Sequence, residues 1–297
     1  MKFRSDARID QSKVRYGGGS SGGGPRIGRG AGVSLGSVAL LVVVFLGARF
    51  FNIDLSGLVG DTGFSGGSTV QATAPECRTG ADVERNPDCR WPAYSTAIDT
   101  FWGQQVRGYR SATTRLYSGQ VRTGCGAASS QLGPFYCPAD ETVYIDTDFM
   151  GKLLRRLGAR GGYAAEAYVM AHEFGHHLQQ LDGTNRRARS MSGSGPASGA
   201  VRQELQADCY AGVWFHHVNQ GRDALIEDVT ADDLNRIVDA ARAVGDDHIQ
   251  QQSGGGVSPE SWTHGSSAQR QHWVQVGFDS GNPASCDTFA TNDLGPN

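Results

Sequence analysis

One pentapeptide restricts the fold of this 297-residue chain more than any other feature: His172-Glu173-Phe174-Gly175-His176. It lies in a stretch, Tyr163 to Leu181, whose apolar spacing is helical and which runs out at Gly183, a residue suited to stopping a helix. Helical residues four apart are offset by about 40° around the axis and about 6 Å along it, so both imidazoles can reach one ion. Zinc takes neutral His nitrogens at about 2.0–2.1 Å and, in catalytic sites, keeps a position for water. Glu173, next to the first ligand, stands where a general base would take the proton from that water. His177 is turned about 100° from His176 and is expected to point elsewhere. The pattern arises by chance in roughly one chain per hundred of this length. Its weight therefore depends on whether a second element supplies a third ligand.

A second helix, read from about Ala200 to Gln220 and stopped by Gly221, offers one. Glu204-Leu205-Gln206-Ala207-Asp208 places two carboxylates at i and i+4 on one helical face. A solvated surface is the bland alternative. However, Ala207, Cys209, Tyr210, Ala211, Val213, Trp214 and Phe215 mark the helix as mostly buried, and buried carboxylates need partners. Glu204, with the longer arm, is expected to complete a His₂Glu site like those of thermolysin-type enzymes. That leaves Asp208 to accept the other ring N–H of a ligating His and fix its tautomer. His216, about 120° around from Glu204, and His217 read as packing or surface residues. His248 and His272 have no partner at a recognisable spacing.

The chain is uneven at its start. Ala31 to Ala48 carries no charge and continues past Arg49 into Phe50-Phe51, long enough to span a bilayer. A cleaved signal peptide is the alternative, but no clear small-x-small site precedes a mature start. Seven Lys/Arg precede the run against Asp6 and Asp10. By the positive-inside bias this predicts a cytoplasmic N-terminus and a body outside the membrane. The expected division is a basic Gly-rich cytoplasmic tail (1–30), a transmembrane signal-anchor helix (31–51), a flexible linker (52–74) and a folded body (75–297). The net charge of the whole is −3, so the body is acidic and would repel phosphate, which argues against a nucleic-acid partner.

All six cysteines follow the apolar run, an even number that fits disulfides in an exported body. Cys77/Cys89 and Cys125/Cys137 are the simplest local pairs, leaving Cys209/Cys286 as a long-range third among fifteen possible pairings. No Cys-x-x-Cys occurs, which counts against a zinc knuckle. Helical spacing is read over Ala93–Arg107, and strands over Thr113–Tyr117 and Thr142–Asp146. A polar loop is read over Asp182–Gly199. A further helix is expected after a Thr230/Asp233 capping box, and a last one from near Ser266 or Ser267.

The set HEFGHH, ELQAD, GPFYCPAD-x-x-VYID and THGSSAQR, covering roughly Cys77 to Phe278, resembles the neutral zinc metallopeptidase family of YpfJ-type membrane-anchored proteins. The first two motifs are also similar to the gluzincin pattern. His264 and Arg270 are similar in spacing to the His and Arg that follow the zinc site in HtpX-type and CAAX-prenyl proteases. The resemblance implies an α+β, zincin-like fold, with a small mixed β-sheet packed on a mainly helical metallopeptidase domain. It also implies Zn²⁺ as cofactor, a peptide or protein substrate, and a role for His264 or Arg270 in stabilising the oxyanion. Arg270 paired with an acid such as Asp208 is the alternative. Unlike HtpX-type enzymes the chain has one expected span, so an intramembrane substrate does not follow. Val143–Asp146 would be the sheet edge to which an extended peptide adds, with an ordinary core strand as the alternative. Two functions are weighed: a zinc-dependent endopeptidase, and a non-catalytic zinc-containing cell-surface scaffold. An intact Glu173 favours the first, because a structural zinc site has no need of a base. The sequence carries no marker of oligomeric state.

Overall fold

A computed structural model describes residues 1–17, 74–191, 193–221, 224–254 and 256–296. In chain order the strands are β1 (Lys2–Phe3), β2 (Val14–Tyr16), β3 (Thr113–Tyr117), β4 (Gln120–Thr123), β5 (Gly126–Ser129), β6 (Phe135–Cys137), β7 (Thr142–Asp146) and β8 (Ile226–Glu227). The helices are α1 (Ala81–Arg85), α2 (Arg90–Gln105), α3 (Thr147–Arg156), α4 (Tyr163–Asp182), α5 (Thr184–Ser190), α6 (Gly199–His217), α7 (Ala231–Ala243), α8 (Asp246–Gln252) and α9 (Ser267–Ser280). The result is the expected α+β body, a small mixed sheet against a larger helical block.

The sheet runs β2-β3-β7-β6, with β2, β3 and β7 parallel and β6 antiparallel to β7. All five residues of β7 are buried, as the Val-Tyr-Ile run requires of a strand covered on both faces. This corrects the expectation for Val143–Asp146: it is a central strand, and the edge is Phe135–Cys137 of β6. At the end of β7, the Asp146 carboxylate accepts from the backbone N–H groups of Asp148 and Phe149 and so caps α3.

The opposite edge comes from the first residues, which overturns their reading as an unfolded tail. Val14–Tyr16 pairs in register with Thr114–Leu116, and Lys2–Phe3 pairs with Ile226–Glu227. Phe3, Ile9 and Val14 sit in the same core as Trp91, Tyr168 and Trp214. Gln11 ties the two flanks together: its amide donates to the Tyr16 hydroxyl and the Pro75 carbonyl, both at 3.0 Å, and its Oε1 accepts from Cys77 N–H. A single crossing between residues 17 and 74 would put strands of one sheet on opposite faces of a bilayer. The predicted arrangement of cytoplasmic N-terminus and outside body is therefore incorrect. Among the described residues no helix is long and apolar enough to cross a membrane. The expected span (31–51) lies outside the described residues, as do residues 52–73 of the expected linker.

The helical block owes its tightness to glycine. A Cβ on Gly175 would fall 2.9 Å from Ala207 Cα, so α4 and α6 touch backbone to backbone. A Cβ on Gly212 or Gly277 would come within 2.1 Å of Val274 O or 2.0 Å of Cys209 O, which presses α9 equally closely onto α6. Any side chain at these positions would force the helices apart. Gly183 (φ 86°) ends α4 as expected, Thr230 and Asp233 form the capping box of α7, and Ser266 with Gln269 forms another on α9. The stretch read as a loop after Asp182 contains α5 instead. Disulfides join Cys77–Cys89, Cys125–Cys137 and Cys209–Cys286, the pairing that the spacing suggested. The third closes a separation of 77 residues, for which the chain-entropy model gives about 4–5 kcal/mol.

Candidate metal centre

His172 and His176 lie one turn apart on α4, and Glu204 faces them from α6. Glu204 Oε2 is 3.2 Å from His172 Nε2, and its Oε1 is 3.4 Å from His176 Nε2. One donor atom from each of the three lies within 4.8 Å of the others. Two imidazole nitrogens and a carboxylate oxygen are a donor set that suits zinc, with room for a further position. Burial pushes the Glu204 carboxyl up, but neighbouring His176 and His172 outweigh that and hold it well below its usual range, as an anion. The residues present therefore fit a divalent cation.

Behind His172 stands a charged group. Its Nδ1 is 2.8 Å from Asp208 Oδ1, and the Tyr168 hydroxyl donates to the same oxygen at 2.6 Å. Arg270, 3% exposed, donates from Nε to Asp208 Oδ2 at 2.8 Å and from Nη2 to Oδ1 at 2.9 Å, a two-pronged pair. Burial disfavours the Asp208 anion, and Arg270 outweighs that, so its carboxyl sits below the usual value. Burial likewise disfavours the His172 cation, yet Asp208 and Glu204 together raise that group to about 10 in the metal-free protein. Arg270 is placed as the alternative reading had it, locked on Asp208, with its nearest approach to Glu204 at 3.9 Å.

Behind His176 the surroundings are neutral. Its Nδ1 is 2.9 Å from Oε1 of Gln179, a fully buried residue that donates to Gln203 O at 2.7 Å and to Gln206 Oε1 at 3.0 Å. Glu173, between the two histidines, is 7% exposed, and burial raises its carboxyl above the usual range. His177 turns away as the helix geometry requires: its Nε2–H donates to Arg110 O at 2.6 Å, and its Nδ1 accepts from the Tyr136 hydroxyl at 3.0 Å. That bond fastens β6 over α4.

His264 belongs to the loop before α9. Asp246, 2% exposed at the start of α8, accepts at Oδ2 from the backbone N–H groups of Thr263 (2.7 Å), His264 (2.7 Å) and Gly265 (3.1 Å). Its Oδ1 lies 3.2 Å from His264 Nδ1. Burial works against the His264 cation, and Asp246 outweighs it, with Glu204 adding to the effect, so the imidazole stays protonated to higher pH than usual. His264 and Glu204 are close enough to perturb each other's ionisation.

Sequence reasoning passed over Gln179, Tyr168 and Asp246. The first two had a signal, since they lie three residues after His176 and four before His172, spacings that return to one helical face. Asp246, 18 residues before His264, had none.

Comparison with known proteins agrees with the geometry. A family model described as "Putative neutral zinc metallopeptidase" matches residues 1–289. The chain is 42% identical over 282 residues to the uncharacterized protein YpfJ of Escherichia coli, covering 91% of this chain and 93% of that one. It is 49% identical over 225 residues to an uncharacterized protein of Mycobacterium tuberculosis, covering 74% and 76%. No solved structure matches.

Proposed function

The chain belongs to this family of neutral zinc metallopeptidases, and from that premise we propose that it is a zinc-dependent endopeptidase of the gluzincin type, acting on extended peptide segments. The observation that carries the reading is the meeting of His172, His176 and Glu204 within 4.8 Å, with the buried Glu173 next to the first of these ligands in the chain. His172, His176 and Glu204 would hold the zinc, which would supply Lewis acidity toward water and an amide carbonyl. Glu173 is the general base: its raised affinity for a proton suits it to take one from the attacking water and return it to the departing nitrogen. His264 is the candidate for stabilising charge on the carbonyl oxygen, held in place by Asp246, whose carboxylate raises its affinity for a proton. Arg270 acts through Asp208, because its fork is already occupied. The peptide is proposed to add along β6, whose outer side pairs with no strand among the described residues.

The decisive comparison is Glu173→Gln. It is expected to keep one zinc per chain and to abolish cleavage of an unstructured protein. A zinc-replete wild type that cleaves nothing in a broad peptide library would favour the non-catalytic scaffold instead. His264→Ala is expected to keep zinc and to lower kcat by about 10²–10³-fold.

A further inference from the structure

We infer that Gln179 is the positioning residue of His176, and that a main-chain carbonyl of α6 sets the tautomer of this ligand through it. The inference rests on the metal reading above. The reasoning starts from Gln203 O, which can only accept a hydrogen bond. The Gln179 side-chain atom 2.7 Å from it must therefore be the amide nitrogen, and the same nitrogen lies 3.0 Å from Gln206 Oε1. Turning the amide over would set its oxygen against the Gln203 carbonyl oxygen in a site closed to water, since Gln179 is 0% exposed.

With the nitrogen fixed, the oxygen faces His176 Nδ1 at 2.9 Å. An amide oxygen only accepts, so Nδ1 carries the hydrogen, and the lone pair of the neutral ring is left on Nε2. That is the atom 3.4 Å from Glu204 Oε1, on the side of the cluster. Gln203 immediately precedes Glu204 in the chain. The same turn of α6 thus supplies the third ligand and prepares the second. The Gln203 side chain is in turn held by Asn185 of α5 at 2.8 Å, so a chain of neutral amides braces this half of the centre.

Two measurements test the inference. Long-range ¹H–¹⁵N NMR on histidine-labelled, zinc-loaded protein should show His176 with hydrogen on Nδ1 and metal on Nε2. Metal on Nδ1 would overturn the assignment. Zinc affinity by chelator competition should fall about 10–100-fold in Gln179→Leu. In Gln206→Leu, which leaves Gln203 O in place, it should stay within about fivefold of wild type. Unchanged affinity in Gln179→Leu, or equal losses in both variants, would overturn the positioning role. A wild-type chain that takes up no zinc would fail the metal reading instead, and the His176 tautomer of the metal-free protein would still report on Gln179.

Discussion

The two imidazoles of the metal centre are held by unlike surroundings. His172 leans on a buried ion pair, Asp208 with Arg270, reinforced by the Tyr168 hydroxyl. His176 leans on an uncharged amide chain through Gln179. A carboxylate behind an imidazole makes it a stronger base and a stronger ligand, whereas an amide fixes the ring with little change in charge. The difference concentrates electrostatic cost on the His172 side. A buried ion pair is costly to break, because each partner is stranded without the other. The neutral side carries no such penalty, so the two halves should fail differently when disturbed.

The largest effect tests what the halves share. Glu204 bridges both imidazoles, so Glu204→Ala should reduce zinc occupancy far more than Asp208→Ala does. Equal losses would leave Glu204 no special place as ligand. Next, Asp208→Ala strands Arg270 in the core and should cost about 3–5 kcal/mol in the metal-free protein, read by denaturant unfolding. Gln179→Leu should cost clearly less. Pairing Asp208→Leu with Arg270→Met should recover most of that stability while zinc affinity stays low, which separates the structural use of the pair from its service to the metal. The smallest effect concerns acid. Asp208 titrates lower in the folded protein than in the unfolded chain, so its contribution is complete above about pH 3.9 and is lost as pH falls through the lower folded value. Asp208→Asn should therefore flatten the stability profile of the metal-free protein below about pH 4. An unchanged profile would break the contrast between the two sides.

Much of this centre was legible in the sequence because it is written in helical spacing. His172 and His176, and Glu204 and Asp208, recur at one turn, and the helix of the two histidines has its expected stop at Gly183. The two strands with β-branched or aromatic runs, β3 and β7, were found with their observed bounds. What escaped is what depends on partners far away in sequence. β1 and β2 span two and three residues, too short for an alternating pattern to register, and they exist because β8 and β3 pair with them. Basic charge and nearby glycines made that segment look like a tail, yet Met1 and Lys2 pair with Asp233 and Asp228. Likewise β7 carries no mark that says centre or edge, since the order β2-β3-β7-β6 is a property of the assembled sheet. The place of Asp246 beside His264 follows only from how α8 meets the loop before α9.

The central claim is that two neighbouring helices converge on one cation. Zinc-edge anomalous diffraction from crystals of the loaded protein tests it directly. One peak is expected, bonded to His172 and His176 nitrogens at about 2.0–2.1 Å and to a Glu204 oxygen at about 2.0–2.2 Å. A peak elsewhere in the chain, or coordination that leaves Glu204 out, would contradict the account.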